Sequence, residues 1–360
     1  MLILLIINFS LPGALNQGDR VFYFSARSLG IGGISDVLEN GDNPAGSGLI
    51  RENFFFASAA LASSNEKRGL RVYDSYGNNM GISTLSNNTS TNYNFAACAL
   101  VIPLKSLRLG FKYRPIWDFN YFYRKEYRDD FYQITKIVEH KHTGDVHSVA
   151  PTIGFNYRFL NIGIEEKFLF GRNNREDKVI IPGTSDSISQ SEMELSGTTM
   201  KLGAIMSPNL HFCLSYSYSL SYTLENEDGE DLKYPVAHSF GFMYQPAGRV
   251  PTKFLGEVAY ENWTEPIIIY KFGMEHYILN NFTMRYGFCY FPDYEQRQIW
   301  TTVLTFGLGL KTGQSFFDLG FAYGKRDYSN SDFGGLDEEL ENLRFDESTS
   351  HFVLSGGFTF

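Results

Sequence analysis

After its first few residues the sequence has no run of 18 or more apolar residues, the length a helix needs to cross a bilayer. A helical membrane protein is thereby excluded. Basic residues are also short: 31 Lys and Arg stand against 40 Asp and Glu, a formal net charge of -9. That balance leaves no basic face for phosphates, so no nucleic-acid partner is expected. Cys98, Cys213 and Cys289 are odd in number and form no CxxC pair, which supplies neither a disulfide framework nor a zinc site. Gly-x-Ser-x-Gly, Walker and His-Glu-x-x-His elements are missing. No enzyme and no cofactor is therefore expected. No repeat of 20–50 residues is visible, so a propeller or solenoid has no support.

What is present is aromatic and alternating. The chain carries 32 Phe, 23 Tyr and 34 Gly, yet its mean hydropathy is only -0.21. A barrel reconciles the two, because every second residue of a barrel strand meets lipid and the others face an interior. Residues 210–224 place Leu210, Phe212, Leu214, Tyr216, Tyr218, Leu220, Tyr222 and Leu224 on one face, with His211, Cys213 and four serines on the other. The same alternation runs through 267–277, 282–290, 300–310 and 316–323. The last strand, 350–360, puts Phe352, Leu354, Phe358 and the terminal Phe360 on one face. The expected fold is an all-β transmembrane antiparallel barrel, with outer-membrane lipid around it.

Turn residues delimit fifteen strand-like runs, of which 69–77 is irregular; single-chain bacterial barrels have an even count, so fourteen strands are expected. Long polar loops are expected at 117–147, 171–195, 225–234 and 328–347. Residues 1–16 read as a secretory signal, with Leu2–Ile7 as the apolar run. The expected division is thus 1–16 signal, 17–50 N-terminal segment and 51–360 barrel.

Two motifs in order, Ala26-Arg27-Ser28-Leu29-Gly30-Ile31-Gly32-Gly33 and then Asn43-Pro44-Ala45-Gly46, resemble the start of the FadL/TodX group of hydrophobic-compound channels and its PorV-like relatives. The terminal strand resembles the signature read by the outer-membrane barrel assembly machinery, which makes that machinery an expected partner. The resemblance implies a fourteen-stranded barrel whose N-terminal segment folds into the lumen as a hatch, with Arg27, Gly30, Gly32, Gly33, Asn43, Pro44, Ala45 and Gly46 as its residues. It also implies passive uptake of small hydrophobic molecules gated by that hatch. The PorV-like relatives imply an alternative, a non-transporting barrel that serves as a scaffold or secretion-system partner.

Charged residues mark the predicted lumen face: Glu257, Glu261, Lys271, Glu275 and Arg285. They read either as a ligand or selectivity site or as cross-strand ion pairs that brace the wall. His140, His142 and His147, with Glu139 and Asp145, have spacing that could hold zinc, but in a long polar loop a solvated surface is the expectation and no metal is assigned.

Overall fold

The computed structural model describes residues 18–226, 231–247, 251–279, 281–294, 296–330 and 343–360. The expected signal segment 1–16 and parts of two acidic loops lie outside the described residues. The described strands are β1 (Asp19–Arg20), β2 (Phe54–Tyr73), β3 (Asn79–Leu104), β4 (Leu107–Asp118), β5 (Tyr121–Arg128), β6 (Ile134–Tyr157), β7 (Leu160–Ile180), β8 (Ser187–Asn209), β9 (Phe212–Ser219), β10 (Tyr222–Asn226), β11 (Leu232–Tyr234), β12 (Ala237–Tyr244), β13 (Thr252–Glu261), β14 (Ile267–Leu279), β15 (Phe282–Pro292), β16 (Trp300–Thr312), β17 (Ser315–Asn330) and β18 (Leu343–Thr359). A short helix, α1 (Ala26–Gly30), and a 3-10 turn, Pro44–Leu49, precede the wall.

β4 and β5 are two parts of one wall strand, as are β9 with β10 and β11 with β12, while β1 belongs to the N-terminal segment. The wall therefore has fourteen antiparallel strands, closed by β18 on β2 with Phe352 opposite Leu61. The irregular run 69–77 is the end of β2 and its turn, as its exclusion from the count required.

The outer face is built for hydrocarbon. On β7, Leu160, Ile162, Ile164, Phe168 and Phe170 all point outward and are exposed. That stretch matches the roughly 9–11 residues a tilted strand needs to cross a membrane. β17 shows Phe317, Leu319, Phe321 and Tyr323 outward, and β18 shows Phe352, Leu354 and Phe358. Past this belt the same faces turn polar: Arg172, Asn174 and Glu176 on β7, Lys325 and Asp327 on β17. Hydrocarbon ends there.

The strands do not end there, and this corrects the loop assignments. Residues 117–147 hold β5 and half of β6, and 171–195 hold the ends of β7 and β8. Strands β2, β3, β6, β7 and β8 run for 20, 26, 24, 21 and 23 residues, against 13, 11 and 13 for β14, β15 and β16. The long strands are neighbours from β17 round to β8, so one side of the barrel rises above the belt as an extension. Its two halves face each other across their own core. Arg68 Nη2 donates to Tyr121 Oη at 2.6 Å, Tyr121 Oη donates to Glu66 at 2.9 Å, and the Arg68 guanidinium lies 3.7 Å over the Tyr123 ring. Ile299, Tyr328, Leu343 and Phe345 pack nearby. Above the belt neither face meets lipid, so the apolar alternation that announces a membrane strand is no longer required.

The fifteen-residue strand 210–224 is also corrected. β9 stops at Ser219, and after Leu220 and Ser221 the chain turns inward, so Leu224 is fully buried rather than lipid-facing. Gly197 on β8 permits the turn, since a Cβ there would lie 2.5 Å from the Thr223 carbonyl oxygen.

Candidate functional site: the lumen and its N-terminal segment

Residues 18–50 lie against the inner faces of the wall. α1 starts at Ser25, whose hydroxyl accepts from the Ser28 amide, a standard N-cap. At its end Gly32 and Gly33 adopt φ of 77° and 75°, a left-handed turn that only glycine takes freely. The wall beneath is made of glycine as well. A Cβ on Gly320 would come 2.5 Å from the Ala26 carbonyl oxygen, on Gly273 2.6 Å from that of Ile31, and on Gly287 2.0 Å from the Gly32 nitrogen. Gly30 rests on Gly307 with 2.9 Å from a built Cβ to the Gly307 Cα. Backbone thus packs directly on backbone.

A second glycine patch seats the second motif. Asn43 caps the 3-10 turn by accepting from the Ala45 amide at 3.0 Å, and its amide group donates to Asp36, to Ala204 O and to Tyr216 O. Pro44 occupies the first position of the turn, where no N–H is required, and Ala45 and Gly46 are buried behind it.

Charges tie the segment to the wall. Arg27 makes a two-pronged contact with Glu275, at 2.7 and 2.9 Å, and a third contact with Glu39 at 2.6 Å. Asp42 meets Lys201 at 2.5 Å, Arg114 at 2.9 Å and Lys167 at 3.2 Å. Burial alone would push the Asp42 carboxyl up, but these three cations hold it well below the usual range. Asp36, desolvated and near Glu257, is pushed up to about 6 despite Lys201 and the Ser217 hydroxyl.

The five predicted lumen residues all face inward and are buried or nearly so, and they take part in these ties. Glu257 pairs across strands with Lys271 at 2.6 Å, and its other oxygen accepts from the amides of Ser35 and Asp36 at 2.8 and 2.9 Å. Lys271 also donates to the Gly33 carbonyl at 3.1 Å. Glu275 holds Arg285 at 2.9 Å as well as Arg27, and Arg285 reaches on to Asp318. Glu261 pairs with Arg20. The sequence offered wall bracing and ligand contact as the alternatives; the side chains brace the wall and also grip the N-terminal segment. Asp42 and its cations were missed, because Arg114, Lys167 and Lys201 lie on three different wall strands, far along the sequence from Asp42.

Above the segment, strand β4 leaves β3 after the Cys98–Tyr113 pair and bends inward, and β1 pairs with it at Asp118 and Trp117. Trp117, Phe119, Leu195, Leu224 and Tyr234 form an apolar layer there, with Tyr222, Trp263 and Tyr294 against it. Between this layer and the segment lies a cavity of about 300 Å3, with Phe22, Tyr23, Ile269 and Val303 on its sides and Lys201, Glu257 and Lys271 on its floor.

The wall and its inner segment define a class. The structure resembles the P. putida toluene transporter TodX at TM-score 0.66, with 14% identity over 94% of this chain and 99% of that one. It resembles a Pseudomonas aeruginosa FadL homologue at TM-score 0.68, with 13% identity over 95% and 100%. The Ralstonia pickettii toluene transporter TbuX gives TM-score 0.59, with 13% identity over 94% and 98%. The fold is that of the FadL-type barrels. Within that class, the sequence profile of the BamG family matches residues 37–241, more than half of the chain, and the chain belongs to the BamG family. No curated protein matches the sequence.

Proposed function

We propose that this chain is an outer-membrane barrel shut by its N-terminal segment, and that it works as a scaffold presenting its tall extension to a partner protein. The observation that carries this reading is the extension. Strands twice as long as a membrane crossing needs are stacked on one side, closed over a core of their own, and tipped with exposed apolar residues. Tyr76 is 89% exposed, Met80 68%, Phe131 83% and Tyr132 82%. Aromatic residues and methionine presented at loop tips are the side chains a protein partner would cover. The ion pairs below add support. Withdrawing the segment would part Arg27 from Glu275 and Asp42 from Arg114, Lys167 and Lys201, contacts that favour the shut arrangement. The outward row ending in Phe360 is what the barrel assembly machinery would read during insertion.

A second reading, passive uptake of a small hydrophobic molecule gated by residues 27–46 as a hatch, is favoured by one observation. The 300 Å3 cavity under the aromatic layer is large enough for a single-ring hydrocarbon. One experiment separates the two. Native membranes are solubilised in mild detergent, and the wild-type chain is compared with one in which Tyr76, Met80, Phe131 and Tyr132 are serine. A stoichiometric protein partner that is lost with the substituted tips supports the scaffold. A wild-type chain that purifies alone, and whose deletion slows toluene entry into cells, overturns it in favour of uptake.

A further inference from the structure

His140 and His142 stand two residues apart on β6, so both rings project from one face. That face is the interior of the extension, where His142 is only 2% exposed. Register places Asp177 of β7 directly opposite His140 and one step diagonal from His142. The carboxylate touches His140 Nδ1 and lies 3.7 Å from His142 Nε2. One ligand atom from each of the three falls within 4.8 Å of the others. His147 takes no part. It sits on the opposite face of β6 and is occupied by Asp145 at 2.8 Å and by Tyr113 at 3.0 Å.

We propose that His140, His142 and Asp177 form a zinc site that clamps β6 to β7 inside the extension. A zinc ion bound at about 2.0–2.2 Å by nitrogen and carboxylate oxygen holds its ligands roughly 3.3–3.5 Å apart. The observed spacing needs only small side-chain rotations to reach that. Two imidazoles and one carboxylate are a donor set suited to zinc, with a water as fourth ligand. The Nδ1 of His142 is a second pointer: it is buried with no hydrogen-bond partner. Buried polar atoms are almost always partnered. A ring flip would turn that nitrogen toward an ion, and the tautomer would set which nitrogen offers its lone pair.

Aromatic rings flank both imidazoles, while Asp177 stays open to solvent. The Tyr121 ring meets His142 edge-on at 6.1 Å, and the Tyr123 ring stacks on His140 at 6.0 Å. The opposing charge is Arg175, which faces His142 across the strands, while Arg68 is already engaged by Glu66. Metal binding therefore requires the long Arg175 side chain to swing toward solvent, and affinity should rise when it is shortened.

The test is calorimetric titration of zinc chloride into the full chain, carried without a polyhistidine tag in detergent. Heat-modifiable migration shows which variants hold a closed barrel. One zinc per chain is expected, weakened at least roughly tenfold in H142A and in D177N, unchanged in H147A and tightened in R175A. Cobalt in place of zinc should give an absorption spectrum of low coordination number that H142A abolishes. Absence of saturable binding near one equivalent overturns the proposal. So does wild-type affinity in folded H142A and D177N, or loss of binding in H147A.

Discussion

Gly163 and Gly203 lie opposite each other in register on β7 and β8, and together they form the bare patch on which Asn43 and Pro44 rest. A Cβ on Gly203 would fall 1.8 Å from Asn43 Oδ1, and one on Gly163 2.4 Å from the Pro44 carbonyl carbon. Gly203→Val should therefore lift the N-terminal segment from the wall, at a cost of about 1–3 kcal/mol for overpacking. Gly356→Ala is the control, since its Cβ would meet nothing nearer than 3.5 Å. Hydrogen exchange over residues 35–50 should rise in the first variant and stay level in the second. Equal exchange in both would mean that the seat does not hold the segment.

The strand count and the lipid-facing rows were legible because hydrocarbon imposes a strict rule on every second residue. Phe317, Leu319 and Phe321 could hardly be read another way. The rule lapses above the belt, so 134–146 and 172–180 read as polar loop although they are paired throughout. The inward turn after Leu220 left no mark either, because Tyr222 and Leu224 exchange lipid for a buried aromatic layer, and both surroundings suit them. Motif residues such as Arg27 and Asn43 could be placed in the N-terminal segment, but their partners could not. Glu275 and Gly203 meet them only because the barrel folds around the segment, and Asp177 meets His140 through the register of the β6–β7 hairpin.

The tie at Asp42 has a predictable pH dependence. Its folded carboxyl is held below the unfolded value of about 3.9, so the stability it adds is present above that value and fades as the pH falls through it toward the lower folded value. Asp36 has the opposite sign. Its folded value, about 6, lies above the unfolded one, so its contribution is full below about 4 and is lost as pH rises through 6. Exchange protection of residues 35–50 should thus peak near pH 4, fall between about pH 4 and 6, and level off above 6. Asp36→Asn should remove the decline between about pH 4 and 6, and Asp42→Asn should flatten the acid side while lowering protection throughout, because three cations lose a shared carboxylate. A wild-type profile flat from pH 3 to 8 would show that neither carboxyl controls the segment.

Lipid and lumen can be told apart on adjacent residues of one strand. Leu304 is 59% exposed on the outer face of β16, whereas its neighbour Val303 is 3% exposed and packs inside. Leu304→Arg should cost about 2–4 kcal/mol near the bilayer midplane, read as a lower unfolding midpoint in liposomes. Leu304→Phe should cost almost nothing, because either side chain suits lipid. Cysteines placed singly at Tyr216 and Ser217 extend the comparison: a lipid-soluble maleimide should label the first and leave the second, which is buried and donates to Asp36 at 2.6 Å. Similar labelling of both would contradict a closed wall.

Arg68 tests whether the extension is a unit separate from the membrane barrel. Its guanidinium is enclosed by Glu66, Tyr121 and the rings of Tyr123 and Phe345, with only 4% of the residue exposed. Arg68→Ala leaves Glu66 as an unpaired buried carboxylate, a loss of about 3–5 kcal/mol. The double variant Glu66→Leu, Arg68→Leu removes both charges together, so it should recover most of that loss, since apolar replacement of a whole buried pair is often neutral. The damage should also stay local. Below Ser63 the β2 ladder is anchored by Phe54, Phe56 and Ala60 against unrelated partners, so exchange should quicken over 64–72 and 121–142 while heat-modifiable migration of the barrel persists. If the single variant abolished heat-modifiable folding altogether, the extension and the membrane wall would have to be one cooperative structure, and the tall strands would be holding the barrel closed rather than standing free above it.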